Sequence, residues 1–180
     1  MESNRLKIRN ASKKMTVILR IGGVISSIIA VLALIGIYIL IFSKEDIKMS
    51  FLSAFHVTAN NGTIIELSLQ QLLLMFAFML VDAILITIII LFVHAIFNHI
   101  QKGDTPFSHQ NTIRIKKIAI VTIILSIVGS YSDALVDYYT IEQLTWKMNV
   151  VGLIVGIIIY CISLIFDYGC ELQQQSDETL

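Results

Sequence analysis

The sequence predicts an all-α fold: an integral membrane four-helix bundle with both termini in the cytoplasm. Three observations carry that prediction. Of 180 residues, 56% are hydrophobic and only 14% charged, against roughly 25% charge in soluble domains. The apolar residues gather in four long runs separated by polar segments. The positive charges divide unevenly between the segments on the two sides. Thirteen basic residues balance thirteen acidic ones, so overall basicity supplies no affinity for nucleic acid. The high apolar content excludes disorder except at the ends, and the length fits one domain, residues 1–180.

A helix crossing a hydrocarbon core of about 30 Å needs roughly 20 mostly apolar residues. Runs over 21–42, 67–97, 118–136 and 150–166 meet that need, and within them the acids are Asp82 and Asp133. None shows period-2 alternation, and Pro106 lies outside all four. In lipid each backbone group must find its partner within its own helix or in a closed barrel. The runs therefore predict helices over about 16–42, 67–97, 113–136 and 150–168. Lys13 and Lys14 resemble a basic leader. The first run is nevertheless longer than a signal core and lacks a small-residue cleavage site close behind it, so an uncleaved span is expected.

Topology follows from Lys and Arg placement. Six basic residues (Arg5, Lys7, Arg9, Lys13, Lys14, Arg20) precede or enter the first helix, and four (Lys102, Arg114, Lys116, Lys117) lie between the second and third. The other two connections hold only Lys44, Lys48 and Lys147. This asymmetry places the amino terminus, loop 98–117 and tail 169–180 in the cytoplasm of a bacterial plasma membrane, with loop 43–66 outside. In that outer loop Asn61-Gly62 separates Phe55-His56-Val57-Thr58 from Thr63-Ile64-Ile65, the pattern of a short hairpin. The third loop holds Tyr138, Tyr139 and Trp146, residue types of an interfacial aromatic belt.

In loop 98–117, Gly103 and Pro106 turn the chain and Ser108 is placed to cap the next helix. Phe107 can insert at the membrane surface, Asn111 can cap or bind a carbonyl, and Arg114 can pair with the acidic tail. Lys116 and Lys117 can sit on anionic headgroups. Loop and tail are thus expected to form one cytoplasmic face.

Two stretches, residues 103–116 and 169–180, carry a family resemblance. The first holds Gly103, Pro106-Phe107, Asn111 and Arg114. The second holds Gly169, Leu172-Gln173, Asp177 and the closing Glu178-Thr179-Leu180, with Gln175 where the pattern leads one to expect Glu. Together they resemble signatures of the YoaS-like family of small four-span bacterial membrane proteins, a domain of unknown function. The resemblance implies a partner, a small helix-turn-helix regulator on the cytoplasmic side. Partner-facing candidates are accordingly Pro106, Phe107, Asn111, Arg114, Leu172 and Asp177.

Polar residues inside the membrane form the second candidate site. An acid near the bilayer centre costs about 2.5–3.5 kcal/mol on insertion scales and normally faces protein or water with a partner. Helical spacing aligns Gln71, Met75, Phe78 and Asp82. Ser130 and Asp133 of the next helix reach the same outer half, where the two acids could share a proton. Gln71, Asp82, Ser130 and Asp133 are therefore the candidate ligand-binding residues. His94 and His99 are misplaced for joint chelation, so no metal site or other cofactor is expected. Cys161 in the membrane and Cys170 on a reducing side give no disulfide. Gly22, Ser26 and Ala30, with Gly23 and Ser27 alongside, and Gly152 with Gly156, permit close helix approach in lipid. That spacing fits packing within one chain and leaves a homodimer open. No nucleotide, zinc-protease or serine-hydrolase motif occurs, so a non-enzymatic function is expected. The readings are a sensor or regulatory binding protein, a small transporter or ion pathway using Asp82 and Asp133, or self-protection against a membrane-active peptide.

Overall fold

The computed structural model describes residues 2–58, 64–102, 107–141 and 148–178, and side chains over 10–56, 67–102, 107–135, 137–138, 148–176 and 178. The elements are α1 (Glu2–Phe42), α2 (Glu45–Ser53), β1 (His56–Thr58), β2 (Ile64–Glu66), α3 (Leu69–Gln101), α4 (His109–Ile141) and α5 (Val150–Glu178). Helices α1, α3, α4 and α5 contain segments long and apolar enough to cross a membrane, at Asn10–Phe42, Leu69–Gln101, His109–Leu135 and Val150–Ser176.

Each long helix outruns its apolar stretch. Helix α1 begins well before residue 16, α3 continues past 97, α4 extends both ways beyond 113–136, and the expected tail from 169 is helical through Glu178. Apolar character marks where lipid can solvate a helix. Backbone hydrogen bonding continues beyond it, because polar side chains tolerate helical geometry equally well. Segment 43–66 holds the expected hairpin, with Val57 opposite Ile65 in antiparallel register, although its Asn61-Gly62 turn lies outside the described residues. The segment also holds α2, which the sequence reading lacked.

Packing follows chain order: α1 lies along α3, α3 against α4, and α4 against α5. Alternating directions bring the start of α1, the end of α3, the start of α4 and the end of α5 to one pole, the termini pole. Helix α2 and the hairpin occupy the other.

The seams are built from small and hydroxylated residues. Ser12, Thr16, Ser26 and Ala33 are buried along α1, at separations that are sums of the three- and four-residue steps that keep one face toward a partner. Ser12 Oγ donates to Phe97 O at 3.0 Å, and Ser26 Oγ donates to Ala83 O at 2.9 Å. Gly22 and Gly23 face Ile90. Along the α4–α5 seam, Gly152 lies against Ser126, and Gly156 against Ile123 and Ala119. Both small-residue patterns thus serve contacts within the chain. Large aliphatic side chains point outward instead, among them Ile18, Ile21 and Leu32 of α1 and Val151, Ile157 and Ile165 of α5. Hydroxyls inside and branched aliphatics outside suit lipid as the surrounding solvent, where apolar exposure carries no penalty.

At the hairpin pole the largest apolar cluster joins Ala33, Leu40, Leu67, Leu72 and Phe76, with Phe51 and Leu52 of α2 packed on it. The ring of Phe76 lies 6.0 Å from Phe51 and 5.7 Å edge-on from Phe55. Those two rings hold α2 against the bundle.

Candidate functional site

The candidate intramembrane residues divide. Gln71 belongs to the start of α3: Ser68 N donates to Gln71 Oε1 at 2.7 Å, and Gln71 N donates to Ser68 Oγ at 3.4 Å. This reciprocal pair satisfies two of the otherwise open amides of a helix start. Gln71 thus has a capping role, roughly 16 Å along the axis from Asp82. Ser130 is likewise occupied. Its hydroxyl donates to Ser126 O at 2.7 Å and accepts from Asn149 N at 2.8 Å, tying the start of α5 to α4.

Asp82 and Asp133 do come into relation. Asp82 sits on α3 about 5 Å to the hairpin side of the helix midpoint. Asp133 of α4 is close enough to act on it electrostatically. Oδ1 of Asp82 is buried, and no hydrogen-bond donor reaches it among the described residues. The Asp82 residue lines a cleft of about 520 Å³ between α1 and α3, to which Ser132 of α4 also contributes. Its walls are chiefly Ile25 and Ile29 from α1 and Met75, Met79, Ile86 and Ile90 from α3. The hydroxyls of the α1–α3 seam beside it are already engaged: Ser26 donates to Ala83 O and shares a 2.9 Å contact with Thr87 Oγ1, and Thr87 donates to Ala83 O at 2.7 Å.

Sequence reasoning reached Met75 through the Asp82 stripe but missed Met79, Ser132 and the α1 wall. Helix α3 is apolar on every side, so its sequence does not mark which face meets α1. The available signal lay on α1, where Gly22 and Ser26 declare a close approach.

The termini pole holds the second group. Ser108 caps α4 as expected, accepting from Asn111 N at 3.3 Å. Asn111 is fully buried and accepts from Arg114 Nη1 at 3.0 Å. Arg114 therefore braces its own helix, where the sequence reading had it reaching the acidic tail. Between α4 and α5, His109 Nδ1 lies 3.8 Å from Asp167 Oδ1, with both side chains largely exposed. Phe107, expected at the membrane surface, stacks on Phe166 with ring centroids 5.0 Å apart and covers Gly169. Thr112 Oγ1 lies 3.7 Å from Cys170 Sγ, and Lys116 Nζ sits over the Tyr160 ring at 5.5 Å. The two segments thus form one continuous face. Leu172 and Tyr168 are exposed on it, Asp177 is in the last helical turn of α5, and Pro106 lies outside the described residues.

Arg114→Ala should lower stability by about 1 kcal/mol, the scale of one charge-assisted bond to a buried acceptor on a partly exposed donor. The measurement is thermal unfolding of the purified protein in detergent, and an unshifted midpoint would show the bond to be idle.

Fold and site together define a class, a multi-pass helical membrane protein with an apolar cleft bearing one acid, Asp82, and a packed α4–α5 contact at the termini pole. No protein-family model matches the sequence, and no match is found among curated proteins or solved structures.

Proposed function

We propose that the protein is a non-enzymatic sensor or regulatory binding protein of the bacterial plasma membrane, its termini pole in the cytoplasm. On this reading the cleft beside Asp82 receives a signal from the membrane or the exterior. The face built from Phe107, His109, Leu172 and Asp177 passes it to a cytoplasmic partner, for which a small helix-turn-helix regulator is the leading candidate. The observation that supports this reading is the continuity of α4. One unbroken helix carries Ser132 at the cleft and, some 23 residues earlier, the His109 contact to α5. A tilt of α4 at the cleft would be felt directly at the Phe107–Phe166 stack.

The test is in-cell photocrosslinking from a benzophenone amino acid placed at Leu172. The expected result is an adduct with a small helix-turn-helix protein whose yield changes several-fold when Asp82→Asn is introduced. Lipid adducts alone, or a protein adduct indifferent to Asp82→Asn, would overturn the reading. The nearness of Asp82 to Asp133 also supports a second reading, an ion or substrate pathway. Proteoliposome flux that disappears in Asp82→Ala would favour it.

A further inference from the structure

The α1–α3 cleft has the makings of a ligand site, and its chemistry narrows the ligand. Its size falls within the range of about 300–1,000 Å³ typical of small-molecule pockets. One ionisable side chain lines it, Asp82, among aliphatic and thioether side chains. A carboxylate at this depth calls for a partner, and the chain supplies none to Oδ1 among the described residues. Within the spans, the basic residues nearest the cleft belong to the termini pole. Arg20 on α1 lies two residues before Gly22 at one end of the cleft and about 9 Å along the axis from Ser26, and Lys117 on α4 sits over the Phe92 ring. Asp133 adds a second negative charge nearby, which disfavours an anion.

Three further features choose among cations. A divalent metal such as Ca²⁺ takes six to eight oxygen ligands. The cleft offers a single carboxylate, and no group of three His, Cys, Asp or Glu side chains gathers among the described residues. A quaternary ammonium is held by aromatic faces, and no aromatic residue lines the cleft. An unoccupied carboxylate oxygen instead suits a ligand with an N–H to donate. Met75 and Met79 supply flexible, polarisable walls that adapt to an alkyl tail, with Ile25, Ile29 and Ile86 completing the apolar surface.

Deepening the sensor reading by naming its ligand class, we propose that the cleft binds one amphiphilic primary or secondary amine, its ammonium on Asp82 and its tail between Met75, Met79 and the α1 isoleucines. Charge complementarity fixes the head, and the apolar lining fixes the tail.

The experiment uses the full chain in nanodiscs of zwitterionic lipid, with empty nanodiscs giving the partition background. Dodecylamine, dodecyltrimethylammonium and dodecanol are titrated as displacers of a dansylated alkylamine. Dodecylamine should displace the probe saturably at one site per chain. Dodecyltrimethylammonium should be several-fold weaker, and dodecanol should compete only at its partition level. Asp82→Asn should weaken dodecylamine about tenfold or more, the scale of one desolvated charge-assisted bond. Ile86→Trp, which fills the cleft and leaves the carboxyl in place, should weaken it comparably, with both variants checked for an unchanged unfolding midpoint. If Ile86→Trp no longer folds, Met79→Trp takes its place as the cleft-filling variant.

Displacement by dodecanol equal to that by dodecylamine would overturn the proposal in favour of a neutral tail. Equal affinity in Asp82→Asn would remove the ion pair. Absence of any saturable component would mean that a proton alone satisfies Asp82. None of these outcomes affects the Leu172 crosslink, which reads the partner separately. Amine binding without that crosslink would defeat the sensor reading and leave this site standing.

Discussion

Gly156→Ile should separate α5 from α4. A Cβ at Gly156 would lie 2.5 Å from Ile123 Cγ1 and 3.3 Å from Ala119 O. The Ile123 side chain can turn aside, whereas the Ala119 carbonyl is helical backbone and cannot. The remaining atoms of isoleucine would then have no space unless the helices part. Helices in lipid lack a hydrophobic force drawing them together and depend on close packing and hydrogen bonds, so the loss should be about 3 kcal/mol, the upper part of the overpacking range. A built-in reporter is available in the contact between Thr112 and Cys170. In a Thr112→Cys background, oxidation should join positions 112 and 170, detected as a linked peptide by mass spectrometry. Gly156→Ile should reduce that yield at least tenfold by the usual conversion of energy to populations. An undiminished crosslink with an unchanged unfolding midpoint would mean that α5 does not pack on α4 at Gly156.

The second large effect is expected at the opposite pole. A Cβ at Gly36 would come within 2.8 Å of the Phe76 ring. That ring is buried and holds Phe51 and Phe55 through aromatic contacts. Gly36→Ile should therefore expel Phe76 and, with it, the rings that moor α2. The cost should be about 2–3 kcal/mol, directed at the attachment of α2 while the α1–α3 seam below Ser26 is retained. Lys44 and Lys48 flank and enter this helix, and Lys48 Nζ is 3.1 Å from Glu45 Oε1. Limited trypsin digestion should nick at these lysines about ten times faster or more in the variant, because cleavage follows the population of the detached form. An unaltered nicking rate would show that α2 is held by something other than Phe76.

Parts of the fold were readable residue by residue. The long apolar runs announced four spans because lipid tolerates little else. Gly22, Ser26, Gly152 and Gly156 announced the seams because only small side chains allow such approach. Ser108 and the residues flanking Asn61-Gly62 announced a cap and a hairpin through local backbone chemistry. The rest depended on contacts between distant segments. Helix α2 is a short, mixed segment whose stability comes from Phe51 and Phe55 docking on Phe76, information absent from its own sequence. Gln71 and Ser130 carry groups equally suited to a ligand or to a helix end, and only their neighbours decide between the two. Arg114 had several acids to choose from along the chain, yet its nearest acceptor was Asn111, three residues away. For Asp82, sequence identified the residue and its depth but could not reveal the α1 wall opposite, because α3 is apolar all round.

The order in which the helices pack has a consequence for biogenesis. Each spanning helix packs against the next spanning helix to leave the ribosome, α1 against α3, α3 against α4, and α4 against α5. Assembly can therefore proceed as synthesis does, every new helix docking on one already in the membrane, and no early segment has to wait for a distant mate. Such local pairing keeps loop-closure costs low and limits how long the hydroxyl-bearing seams face lipid during insertion.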